Sequence, residues 1–235
     1  MKPNIPALNL VGNALTPGAQ RSWWLREALA AEKDSAPCPP LTGDINADVI
    51  VVGGGFTGLW TAYFLTQAKP DLKVVILEQD ICGGGPSGRN GGFASGWWDE
   101  LDGLVTLYGP AEAVRACRAL SDSINSIGDF CQANQVDAWY KHAGYMYAAT
   151  ALPHAAVLEE MVSLAREVGA PEELIALGPQ EVQARCASPA FQGGAFMKDG
   201  ASVQPALLAR GLRRAADKHE ALAHGSAAGS RSARG

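Results

Sequence analysis

The chain has 235 residues, 47% of them hydrophobic, and a formal net charge of −5. That fills one large core or two small ones, and with no basic stripe to displace phosphate counterions a nucleic-acid partner is not expected. Cys38, Cys82, Cys117, Cys131 and Cys186 are odd in number and never spaced as CxxC, and the histidines lack ligand spacing, so neither a disulfide framework nor a metal site is expected and a reducing, cytoplasmic compartment fits.

Residues 1–20, interrupted by Pro3, Pro6 and Pro17, read as irregular. They lack a compact apolar run ending in a small-residue cleavage site, which argues against a signal peptide, and no segment is apolar for the length of a membrane span. Ser22 is placed to cap a short helix, WWLREALAAE, ending near Lys33. The proline-rich SAPCPPLTGD then leads to the first strand.

Asp48–Gly53 is that strand, with Val-Ile-Val-Val inside it. Phe56 to about Gln67 reads as a helix with Leu59, Ala62, Tyr63 and Leu65 inward. Pro70-Asp71 turns the chain, and Lys73–Glu78 is a second strand, giving a βαβ-type opening with parallel strands. Between first strand and helix lies Gly53-x-Gly55-x-x-Gly58, the spacing of a dinucleotide cradle. The first glycine turns the chain off the strand, the second admits a pyrophosphate to the backbone, and the third lets the helix pack on the strand. The helix start aims unpaired N–H groups at the phosphates. Glu78, twenty residues after Gly58, is placed to accept from both ribose hydroxyls and would repel a 2′-phosphate, which disfavours NADP. The spacing alone does not separate FAD from NAD.

A second glycine cluster follows, CGGGPSGRNGGFASG, with glycine at six of the ten positions from Gly83 to Gly92. Its composition predicts a loop without helix or strand. Such a loop suits a flavin, which needs backbone laid along a ring far from the adenosine. Beyond it, a long helical region starts near Trp98, with Pro110 at a first helical position. Ala138–Ala149 is aromatic and strand-like, and Pro153 opens another helix. Glu173–Leu177 is a candidate strand, Pro179 starts a short helix, residues 191–203 read as strand and turn, and Pro205 opens a last helix. The final fifteen residues, ALAHGSAAGSRSARG, contain eleven Ala, Gly or Ser and predict no core strand.

DVIVVGGGFTGLWTAYFL, VVILEQD and GGGPSGRNGGF together resemble the FAD-dependent amine and D-amino-acid oxidoreductases, the DAO family, in its γ-glutamylputrescine-oxidase-like branch. The resemblance is specific over residues 45–96 and returns more weakly over Gly193–Ala216. It implies an α/β fold, a Rossmann-like FAD-binding βαβ core with an inserted, partial α+β substrate domain. The expected division is an N-terminal extension and linker (1–44), FAD-binding βαβ and flavin loop (45–96), partial substrate-domain segment (97–200), return helix (201–220) and disordered tail (221–235).

By that resemblance Gly53, Gly54, Gly55, Phe56, Thr57 and Gly58 line the pyrophosphate of FAD, and Glu78 and Gln79 sit at the adenosine. Ser87, Gly88, Arg89, Asn90, Gly91 and Gly92 run toward the flavin ring. Arg89 is read as a contact to a phosphate or to the flavin's electron-rich edge. Asn90 is read as a donor to a flavin carbonyl or as a residue that tolerates positive φ. The implied activity is oxidation of a small-molecule amine or amino acid by hydride transfer to flavin; a non-catalytic nucleotide-binding fragment and an NAD-dependent dehydrogenase are the alternatives. No catalytic residue is assigned and no oligomeric state is read. Members of the family continue for about as many residues again, so the expectation here is a C-terminally shortened member with a frameshifted tail from about Glu220.

The remaining candidates have plainer readings beside the functional ones. Trp97-Trp98 either wall a site or belong to the core, and Trp23-Trp24 dock the first helix. His142 is an acid–base candidate or a structural histidine; Lys141, Tyr145 and Tyr147 are substrate-facing candidates. Cys82 is either a flavin attachment point or structural, and Glu159-Glu160 read as a solvated helix face.

Overall fold

A computed structural model describes residues 21–32, 40–218 and the backbone of 222–224. The expectations for residues 1–20, for the middle of the proline-rich connector and for the end of the tail lie outside the described residues.

The βαβ opening forms as its pattern predicts. β1 (Val49–Val52) and β2 (Val74–Leu77) run parallel, in register from Val49 opposite Val74 to Val52 opposite Leu77. Between them lies α2 (Phe56–Ala68), which buries Leu59, Ala62 and Thr66 and half-buries Tyr63 and Leu65. The return helix, α7 (Pro205–Lys218), packs beside α2 and adds Leu208, Ala209, Leu212, Ala215 and Ala216 to the same core. Each fully buried leucine there is worth roughly 2 kcal/mol relative to exposure. α1 (Trp23–Ala31) begins at Ser22, whose hydroxyl accepts from Leu25 N–H at 3.1 Å.

Two expectations are corrected. The glycine-rich stretch 82–96 holds regular structure: Pro86–Gly88 is a 3-10 turn and Phe93–Ser95 is strand β3. β3 runs antiparallel to β8 (Gly200–Ser202), from Phe93 opposite Ser202 to Ser95 opposite Gly200. The tail likewise contains a strand, β9 (Leu222–His224), parallel to β2 and giving the order β1-β2-β9. In both places a neighbouring strand supplies the ladder, so the missing β-branched side chains do not forbid pairing.

The middle of the chain is the α+β part. β5 (Tyr145–Ala149), β6 (Leu174–Leu177) and β7 (Gly193–Met197) form an antiparallel sheet in the order β5-β7-β6, and β4 (Lys141–His142) pairs with β8. The predicted strand 138–149 is therefore divided between two sheets, at Gly144 with φ +76°. The helices are α3 (Leu101–Tyr108), α4 (Pro110–Ala133), α5 (Leu152–Glu167) and α6 (Pro179–Arg185). α4 joins the two cores: Ala113, Val114 and Cys117 pack with Trp98, Leu101 and Val162, while Phe130 and Cys131 pack with α2 and α7. None of the helices in the described residues is long and apolar enough to cross a membrane.

Candidate functional site

The site is built from the two glycine clusters, which lie against each other. Gly53 leaves β1 with φ +104°, a conformation that favours glycine, and its N–H donates to Leu77 O at 2.7 Å. A Cβ at Gly58 would overlap the carbonyl oxygen of Gly53, so only glycine lets α2 sit this close to the turn. Nothing lies within 4 Å of a Cβ position at Gly53, which leaves the mouth of the turn open. α2 begins immediately behind it, with first-turn N–H groups that have no intrahelical partner. One of them, from Phe56, donates to Ser87 Oγ at 2.9 Å, which ties the second cluster to the first.

Glu78 closes the other side. Its Oε2 accepts from Gly54 N–H at 2.7 Å and its Oε1 from Asp80 N–H at 3.0 Å. Each carboxylate oxygen keeps a further lone pair for a ligand hydroxyl. Behind the cradle Gly54 O accepts from Gly83 N–H at 2.9 Å. Cys82, 2% exposed, fills the space under Gly54, where its Sγ would stand 2.5 Å from a Cβ; it is a core residue of the cradle.

Asn90 organises the second cluster. Its side-chain oxygen accepts from Gly92 N–H at 2.8 Å, and its amide nitrogen donates to Ser87 O at 3.1 Å and Pro86 O at 3.3 Å. Its amide is thus spent on the loop itself, with φ outside the left-handed region. Gly92 takes φ +74° and packs against the carbonyl of Val203. Arg89 and Gly91 are exposed, as are Thr57 and Gln79, while Gly54 and Gly88 are buried and Gly55, Phe56 and Ser87 are half-buried. The structure therefore gathers the predicted residues around one strand-to-helix junction and the loop laid over it.

The other candidates separate. Trp98 is fully buried and donates from Nε1 to Ser121 Oγ at 3.2 Å, whereas Trp97 is 48% exposed. Trp24 packs with Leu25, Ala28 and Ala206, whereas Trp23 is exposed. His142 Nε2 lies 3.7 Å from Asp199 Oδ1. Tyr147 donates to Asp99 Oδ2 at 2.6 Å; burial, with the Asp99 carboxylate beside it, pushes the phenol pKa up and keeps it protonated. Tyr145 stands between Tyr147 and Phe93, with ring centroids 4.8 and 6.2 Å away, so an aromatic row leads from the loop to Asp99. Glu159 and Glu160 are exposed on α5.

Sequence reasoning missed Glu32, Gln204 and Arg210, which fasten the loop's surroundings from outside, and read Ser22 only as a helix cap. Ser22 donates to Gly88 O at 2.7 Å. Arg210, 2% exposed, forms a two-pronged ion pair with Glu32, both bonds 2.9 Å. The available signal was Arg210 itself, one turn after Ala206 on the apolar stripe of α7, where a buried arginine requires a carboxylate.

A protein-family model described as FAD dependent oxidoreductase (DAO) matches residues 48–230. Gamma-glutamylputrescine oxidoreductase of Escherichia coli K12 is 31% identical over 183 residues, covering 77% of this chain and 42% of that protein. Among solved structures, L-amino acid deaminase from Proteus myxofaciens superposes with TM-score 0.62 at 20% identity, covering 84% of this chain and 43% of that one. Glycine oxidase from Geobacillus kaustophilus gives TM-score 0.58 at 22% identity, covering 76% and 46%. The chain thus spans less than half the length of these relatives.

Proposed function

The chain belongs to the FAD dependent oxidoreductase (DAO) family, and from that premise we propose that it carries the FAD-binding part of an enzyme that oxidises a carbon–nitrogen bond in a small amine or amino acid. The observation that carries this reading is the open, side-chain-free turn from Gly53 to Gly58 at the start of α2, with Glu78 fixed across it.

The residues present fit the cofactor. The backbone from Gly53 to Gly58 and the α2 N-terminus suit a pyrophosphate, because N–H groups and the positive end of the helix dipole converge there. Glu78, with Gln79 beside it, suits the adenosine ribose through the lone pairs that Gly54 and Asp80 leave unused. Ser87 to Gly92 present backbone toward the flavin, and Arg89, exposed at the loop's tip, offers its charge to a phosphate or to the electron-rich edge of the ring. The chemistry such a bound FAD would supply is acceptance of a hydride from the carbon that bears the nitrogen. The substrate nitrogen must be neutral for that step, since its lone pair stabilises the cationic imine left behind, and water then releases a carbonyl compound and ammonia or an amine. The 31% identity to an enzyme named for γ-glutamylputrescine supports an aliphatic amine as the substrate class. We place the protein in the cytoplasm on its cysteine usage, five residues odd in number and never spaced as CxxC, which suits a reducing compartment.

The test is a titration of the purified chain with FAD, NAD and NADP, followed by an oxygen- or dye-coupled assay with aliphatic amines and D-amino acids. Yellow protein with flavin absorbance and a selective affinity for FAD is expected; colourless protein with no affinity for FAD overturns the reading.

A further inference from the structure

We propose that helix α1 is a strap that holds the flavin loop in its binding shape, and that Ser22 is a positioning residue for the cofactor. The proposal rests on the FAD reading above and adds to it a segment, residues 21–32, that lies before the residues 48–230 matched by the family model.

The loop is anchored on two sides. On its inner side Ser87 and Gly83 bond to the first glycine cluster through Phe56 N–H and Gly54 O. On its outer side the bonds come from α1 and its neighbours. Ser22 Oγ donates to Gly88 O at 2.7 Å while accepting from Leu25 N–H, so one hydroxyl both caps α1 and grips the 3-10 turn. Arg21 pairs with Asp80 at 3.0 Å, just after the Glu78 carboxylate. At the far end of α1, Glu32 holds Arg210 and Arg214, and Arg210 Nη1 donates to Cys82 O at 3.5 Å, the carbonyl from which the loop departs. Gln204 completes the fastening: it caps α7 by accepting from Leu207 N–H at 2.8 Å and donates to Trp24 O at 2.9 Å. α1 thereby reaches the loop at its start, before it and in its middle.

A glycine-rich loop has little conformational preference of its own, so its ordering cost falls on whatever holds it. If the strap carries that cost before FAD arrives, cofactor affinity depends on Ser22 although Ser22 bonds only the back of the loop, at Gly88 O, and not the Gly53–Gly58 turn. A helix that only adds core area would lower thermal stability and leave FAD affinity alone.

The experiment compares the chain with Ser22→Ala, Ser22→Thr and Arg21→Ala. Three quantities are read: FAD affinity from flavin fluorescence, the melting temperature of the FAD-free protein, and amide hydrogen exchange across Gly83–Gly92. Ser22→Ala is expected to weaken FAD binding about fivefold, the effect of one part-buried hydrogen bond, and to speed exchange at Gly88 and Arg89. Ser22→Thr restores both, and Arg21→Ala weakens binding to a smaller degree. Unchanged affinity in Ser22→Ala overturns the proposal, whether or not the melting temperature falls. If the unmodified chain itself does not bind FAD, the functional reading fails and exchange decides the strap: faster exchange confined to the loop supports it, unchanged exchange overturns it.

Discussion

The two glycine clusters have nearly the same composition and differ in what flanks and grips them. Gly53–Gly58 lies between a strand and a helix, with a carbonyl in the place of a side chain at Gly58 and with Glu78 and Ser87 accepting from its N–H groups. Gly83–Gly92 shows the same backbone crowding, with Gly83 O in the place of a side chain at Gly88 and Val203 O at Gly92, and is gripped in addition by its own Asn90 and by Ser22 and Arg210 from distant segments. A glycine run between regular elements thus has its shape dictated by those elements. A glycine run in a loop relies more on polar side chains, some local like Asn90 and some recruited at long sequence separation like Ser22.

Four substitutions would break or sharpen this contrast. The largest effect is expected from Gly58→Ala, which forces a Cβ into Gly53 O. It should cost upward of about 3 kcal/mol in denaturant unfolding and abolish FAD binding, because the backbone there has no room to yield. Gly85→Ala, in the second cluster with open space around it, should leave both unchanged; an effect equal to that of Gly58→Ala would refute the close-approach reading of Gly58. Next is Glu32→Ala, which leaves Arg210 buried and unpaired and should cost about 3–5 kcal/mol of stability while loosening the loop through Cys82 O. Smaller again is Asn90→Ala: loss of its bonds to Gly92, Ser87 and Pro86 should cost about 1–2 kcal/mol, with faster hydrogen exchange in the loop and none in β1 or β2.

The smallest effect tests a site remote from both clusters. Burial raises the pKa of Glu173 above its ordinary value despite an ion pair with Lys198 at 3.2 Å. The folded state then binds more protons than the unfolded state between the two pKa values, so Glu173 subtracts stability as pH rises through that window. Glu173→Gln should raise the melting temperature by about a degree at neutral pH, with the gain fading in acid and no change in FAD affinity.

Part of this protein follows from local pattern alone. The βαβ unit, the cap at Ser22, the helices opened by Pro110, Pro153, Pro179 and Pro205, and the place of Gly53–Gly58 between strand and helix rest on turn chemistry, apolar periodicity and backbone sterics acting within a few residues. The tertiary structure alone decided the rest. β3 and β9 exist because other strands offer them ladders, 138–149 divides because its two halves pair in different sheets, and Ser22 meets Gly88 from 66 residues away. Glu32 meets Arg210 across 178 residues of chain. Pairing of that kind depends on which surfaces are brought together after collapse, and the sequence near each residue carries no record of its distant partner.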